Sequence, residues 1–364
     1  MALSALLGQP RATSLLGGAL ATGRMHHAYL FAGPPGVGKT LAAKLMAQAL
    51  NCESPAAYAA AARNAFADEP CGVCNACKRI TDDPKKHAHP LVMWIDTEAA
   101  MEAQGLYSPE GDRSPAKAIG VRVLREMVIP RLALTVMGGR RKVAIFRDVE
   151  FTDGAQNAFL KTLEEPPKDT SFIILSSTAD ALKPTIRSRC MRVTFSPLAP
   201  GVVADRVARD KKVDAQTAAL ASALAGGNLG RAMQIDAKAL QKRRDLIVVV
   251  ERLKSDDWAG WLGLAEALGD KDDALEALDI LETWMHDVAL AASTGAGPST
   301  NLDLVAEAKA AGSRLGIVEA IRRVELIRVA RERIEANAQP RLAMEQMVLA
   351  FNGIRPLPLV PEVA

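Results

Sequence analysis

One short segment near the N-terminus constrains the fold of this 364-residue chain more than any other feature. An apolar run, Ala28–Ala32, leads into a glycine-rich segment, and an apolar-periodic stretch from Leu41 to Leu50 follows. Strand, loop and helix in this order surround an anion with backbone N–H groups and the positive end of a helix, so they predict a phosphate-binding loop. The glycine-rich segment is Gly33-Pro34-Pro35-Gly36-Val37-Gly38-Lys39-Thr40.

The lysine and threonine of this loop carry its chemistry. Lys39 is expected to reach the β and γ phosphates of a nucleotide, and the Thr40 hydroxyl is expected to bind magnesium. Gly33, Gly36 and Gly38 let the backbone turn closely around the phosphates. The alternative is a strand-to-helix turn that binds nothing, but such a turn requires neither the lysine nor the threonine.

A second buried strand, from Val143 to Phe146, leads to an acid. Asp148 is therefore the predicted partner for magnesium, with a helix cap or a surface ion pair as the alternative. Many nucleotide hydrolases place a glutamate directly after this aspartate to polarise water, whereas this chain has Val149, and its nearest acid is Glu150. The pattern therefore supports ATP binding better than hydrolysis.

Four of the five cysteines have the spacing C-x18-C-x2-C-x2-C. Four thiolates fill a tetrahedral shell and leave no position for water, so they predict structural rather than catalytic zinc. An iron–sulfur cluster is the alternative, although its usual bacterial spacing has the fourth cysteine three residues after the third. Chance buried thiols, or ligation by His87 or His89, are further alternatives. The predicted ligands are Cys52, Cys71, Cys74 and Cys77.

The composition, 49% apolar and 24% charged, is that of a folded globular protein. Its apolar runs are shorter than the roughly 18 residues that span a bilayer. No cationic residue precedes Arg11, and no small-residue cleavage site follows a long apolar stretch, so we expect a cytoplasmic protein without a membrane partner. Basic residues exceed acidic ones by only three, so attraction to nucleic acid would need local clustering.

The two halves of the chain differ in pattern. Up to about Phe195, short apolar runs alternate with helical stretches, which predicts an α/β fold with helices on both faces of a parallel sheet. Residues 196–201 break this pattern, and apolar residues then recur every three to four positions, as in helices. The predicted strands are Ala28–Ala32, Val92–Ile95, Val143–Phe146, Phe172–Leu175 and Met191–Phe195. The helical periodicity lies in Leu275, Leu278, Leu281, Met285 and Val288, and in Ile317, Ile321, Val324 and Ile327.

Together with the phosphate loop and the cysteine insert, the run Ala158-Phe159-Leu160-Lys161-Thr162-Leu163-Glu164-Glu165-Pro166-Pro167 resembles bacterial DNA polymerase III clamp-loader subunits of the AAA+ class. Among these the delta-prime subunits match best. The resemblance covers nearly the whole chain and is least specific between Lys238 and Val329. It extends to Leu7-Gly8-Gln9, His27-Ala28-Tyr29-Leu30-Phe31, Ile186-Arg187-Ser188-Arg189-Cys190 and Asn337-Ala338-Gln339-Pro340-Arg341-Leu342-Ala343-Met344-Glu345.

The resemblance implies three domains and a role in a hetero-oligomer. A P-loop AAA+ domain would span residues 1–196, with its zinc module at 52–77. A helical lid at 197–240, a helical oligomerisation domain at 241–355 and an extended tail at 356–364 would follow. The implied partners are the other clamp-loader subunits, the sliding clamp and primer-template DNA, and the implied function is loading of the clamp during replication.

The resemblance also implies roles for three further residues. Arg189 would be an arginine finger that reaches the nucleotide of a neighbouring subunit. Thr178, next to Ser177, would be a sensor of the γ phosphate, and Arg231 a second sensor in the lid. The alternatives are ordinary ones: a surface ion pair, a strand-end hydroxyl and a helix-start arginine.

A basic segment between Ala116 and Arg147 holds eight basic residues and one acid. It predicts either contact with a DNA backbone or, equally, a solvated face or subunit contact. The basic residues are Lys117, Arg122, Arg125, Arg131, Arg140, Arg141, Lys142 and Arg147.

Three other functions compete with this interpretation. The ATP-hydrolysing gamma/tau-like motor subunit of the same loader would be expected to have an Asp-Glu pair at the strand end and usually a longer C-terminal extension. An independent AAA+ remodeller would need hydrolytic residues in every subunit. A purely structural protein would not need Gly38-Lys39-Thr40.

Overall fold

The computed structural model describes residues 3–57, 66, 69–83, 86–97, 118–133, 140–147, 150–297 and 299–354. The chain divides into two compact units. The first comprises Met1–Val202 together with Gly227–Gly230, and the second comprises Val203–Gly226 and Arg231–Ala364. The predicted tail at 356–364 lies outside the described residues, and the three-domain division stays a prediction.

The first unit is built on parallel strands. Its strands are β1 (Ala28–Ala32), β2 (Val92–Ile95), β3 (Ala118–Ile119), β4 (Lys142–Arg147), β5 (Glu150–Phe151), β6 (Thr170–Ser176) and β7 (Met191–Thr194). Five of them form one sheet in the order β2-β4-β6-β1-β7, while β3 and β5 form a separate parallel pair. The five predicted strands are therefore confirmed, although β7 ends one residue before Phe195. The small β3–β5 pair was not predicted.

Helices cover both faces of the five-stranded sheet. The helices of this unit are α1 (Pro10–Thr22), α2 (Lys39–Asn51), α3 (Asn75–Arg79), α4 (Ile129–Ala133), α5 (Asp153–Glu164) and α6 (Pro184–Arg187), with a π-helical segment at Val123–Val128 and 3-10 turns at Leu3–Ala5 and Ala179–Ala181. Alternate residues of β1 enter opposite cores: Tyr29 and Phe31 pack with α1 and α2, whereas Leu30 packs with α5. Since both faces are buried, β1 is apolar throughout, as the sequence predicted.

The second unit is helical throughout its described residues, apart from turns. Its helices are α7 (Pro200–Lys211), which begins in the first unit, α8 (Ala215–Ala225), α9 (Leu229–Gln234), α10 (Ala237–Arg252), α11 (Trp258–Ala267), α12 (Lys271–Thr294), α13 (Val305–Glu335) and α14 (Pro340–Phe351). The periodic residues of α12 lie in its core, which centres on the fully buried Trp284. On α13, in contrast, Ile317 and Ile321 are exposed, next to a break in the helix at Gly316, where φ is 73°.

A buried polar network holds the turn that follows α12. The carboxylate of Asp287, only 1% exposed, accepts hydrogen bonds from the backbone N–H groups of Ser299, Thr300 and Asn301 at 2.7–3.3 Å. Arg243, on α10, donates to the Asn301 side chain and to Asp303. Arg243, Asn301 and Asp287 are thus joined by hydrogen bonds across two helices and the turn.

No helix among the residues that the structure describes is long and apolar enough to span a membrane.

Candidate functional sites

The phosphate loop leaves the carboxyl end of β1, which lies between β6 and β7 in the sheet. The N–H group of Gly33 donates to the carbonyl oxygen of Ser176 at the end of β6, at 3.2 Å. Gly36 and Gly38 have φ values of 70° and 101°, a region that side chains with a Cβ rarely adopt. The glycines at these two positions are therefore required by the loop's conformation.

Lys39 is the first residue of α2 and is only 4% exposed. Its ammonium group donates to the carbonyl oxygens of Gly33 at 2.6 Å and Pro34 at 3.0 Å. The lysine is thus held inside the loop, where a phosphate group would meet both its charge and the N-terminus of α2. Thr40 follows it on the same helix and is partly exposed.

The side chains of Gln9 and Asn228 hold this loop in place, a role that the sequence did not predict for either residue. The Gln9 amide donates to the carbonyl oxygens of Val37 at 3.2 Å and Ser196 at 2.7 Å, and accepts from the Ser196 N–H group at 3.1 Å. The carboxamide of Asn228 lies directly on Gly36, since a Cβ added at Gly36 would fall 1.6 Å from its Oδ1 atom. The loop is therefore packed between the start of the chain and residues 227–230.

The structure describes some, but not all, of the predicted site residues that follow β4 and β6. Asp148, the predicted magnesium ligand, and Val149 lie outside the described residues. Glu150 is exposed and lines a cavity of about 390 Å³ together with Ser177 and Thr178, which follow β6. The structure thus brings the predicted γ-phosphate sensor and the nearest acid after Asp148 to one cavity.

Arg189 lies between α6 and β7, and its side chain is 37% exposed. Its guanidinium donates to the Glu164 carboxylate at 2.7 Å and to the carbonyl oxygen of Thr185 at 3.0 Å. The next residue, Cys190, belongs to the core, and burial raises the pKa of its thiol to about 12. The arginine therefore projects from a firmly packed segment.

Arg231, the predicted second sensor, lies on α9 and its side chain is 51% exposed. It pairs with Asp279 of α12 at 3.2 Å, within the second unit.

The four predicted cysteine ligands do come together. Their sulfur atoms all lie within 4.8 Å of one another, and a tetrahedral zinc site with bonds of about 2.3 Å places sulfur atoms roughly 3.8 Å apart. Backbone N–H groups point at the sulfurs, with distances of 3.3 Å from Cys74 to Cys71 and 3.4 Å from Cys77 to Cys74. The N–H groups of Cys74 and Val73 lower the pKa of the Cys71 thiol to about 6, whereas burial and the neighbouring cysteines raise the pKa of the Cys77 thiol in the absence of a bound cation. The donor set and its hydrogen bonds therefore fit a thiolate-bound cation.

The cysteine cluster is joined to the helix that starts at the phosphate loop. On α2, Lys44 pairs with Asp82 at 2.8 Å, and buried Gln48 donates to the carbonyl oxygen of Cys77. Beside the cluster, Glu53 pairs with Arg140 at 2.9 Å. His87 donates to the carbonyl oxygen of Val92, the first residue of β2, at 2.8 Å.

Most of the basic segment is paired or buried. Arg122 pairs with Glu126, Arg140 with Glu53 and Arg147 with Asp96. Lys142 is 5% exposed and donates to the carbonyl oxygen of Leu132, while Arg141 donates to that of Thr170. Lys117 lies outside the described residues. Exposed side chains remain at Arg125 and Arg131, so contact with DNA stays a prediction.

A phosphate loop at the carboxyl end of a central strand, in a parallel sheet that helices cover on both faces, defines the P-loop class of α/β proteins. Residues 8–199, slightly more than half of the chain, match the family described as "DNA polymerase III, delta subunit", and the chain therefore belongs to this family of clamp-loader subunits.

Relatives of this chain are also named as subunits of DNA polymerase III. The tau subunit of DNA polymerase III from Bacillus subtilis is 31% identical over 287 residues, which cover 76% of this chain and 45% of that protein. The delta' subunit from the same organism is 32% identical over 200 residues, 55% of this chain and 51% of that protein. The chain thus spans about half the length of these two relatives. Among solved structures, a gamma subunit-related protein from Thermotoga maritima is 16% identical, with a TM-score of 0.42 over 94% of this chain and 99% of that one.

Proposed function

We propose that this chain is a delta-prime-like subunit of the DNA polymerase III clamp loader, which binds ATP and helps to load the sliding clamp onto primed DNA. The observation that carries this proposal is an intact phosphate loop, with Lys39 buried inside it, followed by a strand end where Val149 stands in place of a catalytic glutamate. Such a subunit binds nucleotide without turning it over efficiently on its own.

Different residues of the loop would contact the phosphates and the magnesium ion. The backbone N–H groups between Gly36 and Thr40 would surround the phosphates, and Lys39 would exchange its bonds to loop carbonyls for bonds to phosphate oxygens. The Thr40 hydroxyl and Asp148 would hold magnesium, which supplies charge neutralisation when bound. Thr178 would contact the γ phosphate, and Arg231 is proposed as a second phosphate contact.

Arg189 is proposed to act on the nucleotide of a neighbouring subunit. Support comes from its partly exposed guanidinium and from the buried residues on either side of it, which fix where it emerges. A planar, permanently charged guanidinium suits the charge that develops on a phosphoryl group in transfer.

Cys52, Cys71, Cys74 and Cys77 are proposed to bind one structural zinc ion. The clustering of four sulfurs within 4.8 Å supports this assignment, and four thiolates leave no open position for catalysis. An iron–sulfur cluster is the competing occupant of the same ligands.

The proposed partners are the other loader subunits in a hetero-oligomer, the sliding clamp and the backbone of primer-template DNA. Family membership supports the first of these. For DNA, the exposed Arg125 and Arg131 are the candidates within the basic segment.

One observation favours the motor-subunit alternative. Glu150 and Thr178 line the same cavity, so Glu150 could orient water in the role that Val149 cannot fill. The relative named tau, at 31% identity, is consistent with this alternative.

The experiment is to measure magnesium-ATP binding by calorimetry and phosphate release on the same preparation of the isolated chain, with Lys39→Ala as the control. We expect binding that the control loses, with very slow release, because a missing general base costs about 10² to 10⁴ in rate. Robust turnover that Glu150→Gln abolishes would establish the motor alternative, and no binding at all would favour a structural protein.

A further inference from the structure

Glu164 and Arg189 form an ion pair between elements that are 25 residues apart. Glu164 is the last residue of α5, and Arg189 follows α6 on the way into β7. Their side chains are 51% and 37% exposed, with 2.7 Å between Glu164 Oε1 and the nearest guanidinium nitrogen. An exposed pair of this kind shifts an equilibrium by at most about fivefold, so its contribution to folding is small.

The backbone under Arg189 is fixed independently of this pair. The N–H groups of Ser188 and Arg189 donate to the carbonyl oxygens of Pro184 at 2.9 Å and Ile186 at 3.1 Å. Ile186 and Cys190 are buried on either side of the arginine. Only the Arg189 side chain is therefore left for Glu164 to orient.

Helix α5 also holds the other end of the α6 segment. Gln156, which is 7% exposed, accepts a hydrogen bond from the Lys183 N–H group at 2.8 Å. The Lys183 ammonium pairs with Asp153 at 3.0 Å. Since α5 thus anchors the segment before Arg189 and contacts its guanidinium as well, Glu164 has a defined position from which to act.

The guanidinium keeps donors for a second anion. Of its five N–H groups, one donates to Glu164 and one to the Thr185 carbonyl, and the rest have no partner among the residues that the structure describes. A bidentate contact to a phosphate needs only two. The pair with Glu164 is therefore compatible with a phosphate contact in trans.

We propose that Glu164 is a positioning residue, which holds the Arg189 side chain in the orientation from which it would reach the terminal phosphate on a neighbouring subunit. This inference rests on the proposed role of Arg189 as a finger in trans. An unrestrained arginine populates many rotamers, and a carboxylate that selects one of them removes part of the entropy cost of the contact.

The expected kinetic effect is specific. An oriented finger acts on the charge of the transition state, so Glu164→Gln should lower kcat of the assembled loader two- to fivefold and leave KM for ATP nearly unchanged. Glu164→Asp should restore part of the loss because it retains the charge. Glu165→Gln is the matched control, since Glu165 is the adjacent exposed acid on the same turn.

The test is steady-state magnesium-ATP turnover by the loader purified from its own cell, with each variant in place of the wild-type chain. We expect Glu164→Gln to have no further effect once Arg189 is alanine, since residues that act as a unit are not additive. Equal turnover for Glu164→Gln and Glu165→Gln, faster turnover for Glu164→Gln, or full additivity with Arg189→Ala would each overturn the inference.

The same measurements distinguish the finger role proposed for Arg189 from the positioning role proposed for Glu164. If Arg189→Ala itself leaves turnover unchanged, the finger assignment fails, and the role of Glu164 fails with it. If Arg189→Ala slows turnover while Glu164→Gln does not, only the positioning role is wrong.

Discussion

Gln48 donates hydrogen bonds from its side-chain amide to the carbonyl oxygen of Cys77 at 2.8 Å and to that of Ile80 at 3.0 Å. Gln48 lies on α2, the helix whose first residue is Lys39. The last cysteine of the cluster is thus joined by hydrogen bonds to the helix that begins at Lys39. A metal ion that orders the cluster would therefore also hold this helix in place.

Elemental analysis of the purified chain should find about one zinc per molecule. Because metal binding free energy is part of the folding free energy of such a site, strong chelation should lower the melting temperature. Cys74→Ser should abolish zinc binding, whereas Cys190→Ser, which changes a core cysteine outside the cluster, should retain it. Iron with charge-transfer absorbance, or no metal in freshly reduced protein, would contradict the assignment.

Arg189→Ala should slow ATP turnover by the assembled loader and leave the nucleotide affinity of this subunit unchanged. Fingers supplied in trans contribute about 10³ to 10⁵ in rate in the best-studied cases. Arg187→Ala is the control, since Arg187 lies two residues away and pairs with Asp180. Weaker binding without slower turnover would show that Arg189 is not a finger.

Asp287→Ala should lower the free energy of unfolding of the second unit by about 3 to 5 kcal/mol, because it leaves the N–H groups of Ser299, Thr300 and buried Asn301 without their acceptor. Urea denaturation followed by tryptophan fluorescence measures this, since Trp258, Trp261 and Trp284 all lie in this unit. Asp272→Ala, in the exposed first turn of the same helix, should cost less than about 1 kcal/mol. Similar losses for both variants would show that the network contributes little.

Stability should fall as the pH falls from about 6.5 to 4, partly through His89. Burial, reinforced by Arg79, lowers the pKa of His89 to about 4, and its Nδ1 atom accepts a hydrogen bond from the Leu91 N–H group at 3.3 Å. In this pH window the unfolded chain binds the proton and the folded chain does not, so protonation favours unfolding by up to about 3 kcal/mol.

Urea denaturation of His89→Gln at pH 7 and pH 4.5 checks this expectation. The variant should lose less stability between the two pH values than the wild-type chain does, whereas His286→Gln, at an exposed position, should behave like the wild type. Parallel profiles for His89→Gln and the wild type would exclude His89 as the cause.

Local patterns were enough to locate the sheet and the two candidate sites. β1 and β2 have the bounds that their apolar runs predicted, because a strand buried on both faces must be apolar throughout. The cysteine spacing likewise predicted a cluster that the structure shows. Two-residue spacing brings Cys71, Cys74 and Cys77 together within a short stretch of chain, whereas Cys52, 19 residues before Cys71, reaches the cluster through the fold.

Contacts between distant residues could not be predicted in this way. Gln9 bonds to Ser196 across 187 residues, and nothing in either neighbourhood signals the contact. The short β3 and β5 strands pair because the fold brings them together, since two residues carry no recognisable periodicity. Ile317 and Ile321 share the apolar spacing of Val324 and Ile327 but are exposed, which the pattern of apolar positions does not reveal.

The sequence by itself determined the fold class, the glycine-rich loop and which four cysteines cluster, since each depends on the types of residues and their local spacing. Only the tertiary structure decided what surrounds these residues: Asn228 on Gly36, Gln48 on Cys77 and Glu164 on Arg189. The physical reason is that hydrogen bonds and ion pairs depend on distances of about 3 Å. Such distances between separate elements are set by how helices and strands pack, and sequence spacing does not encode them.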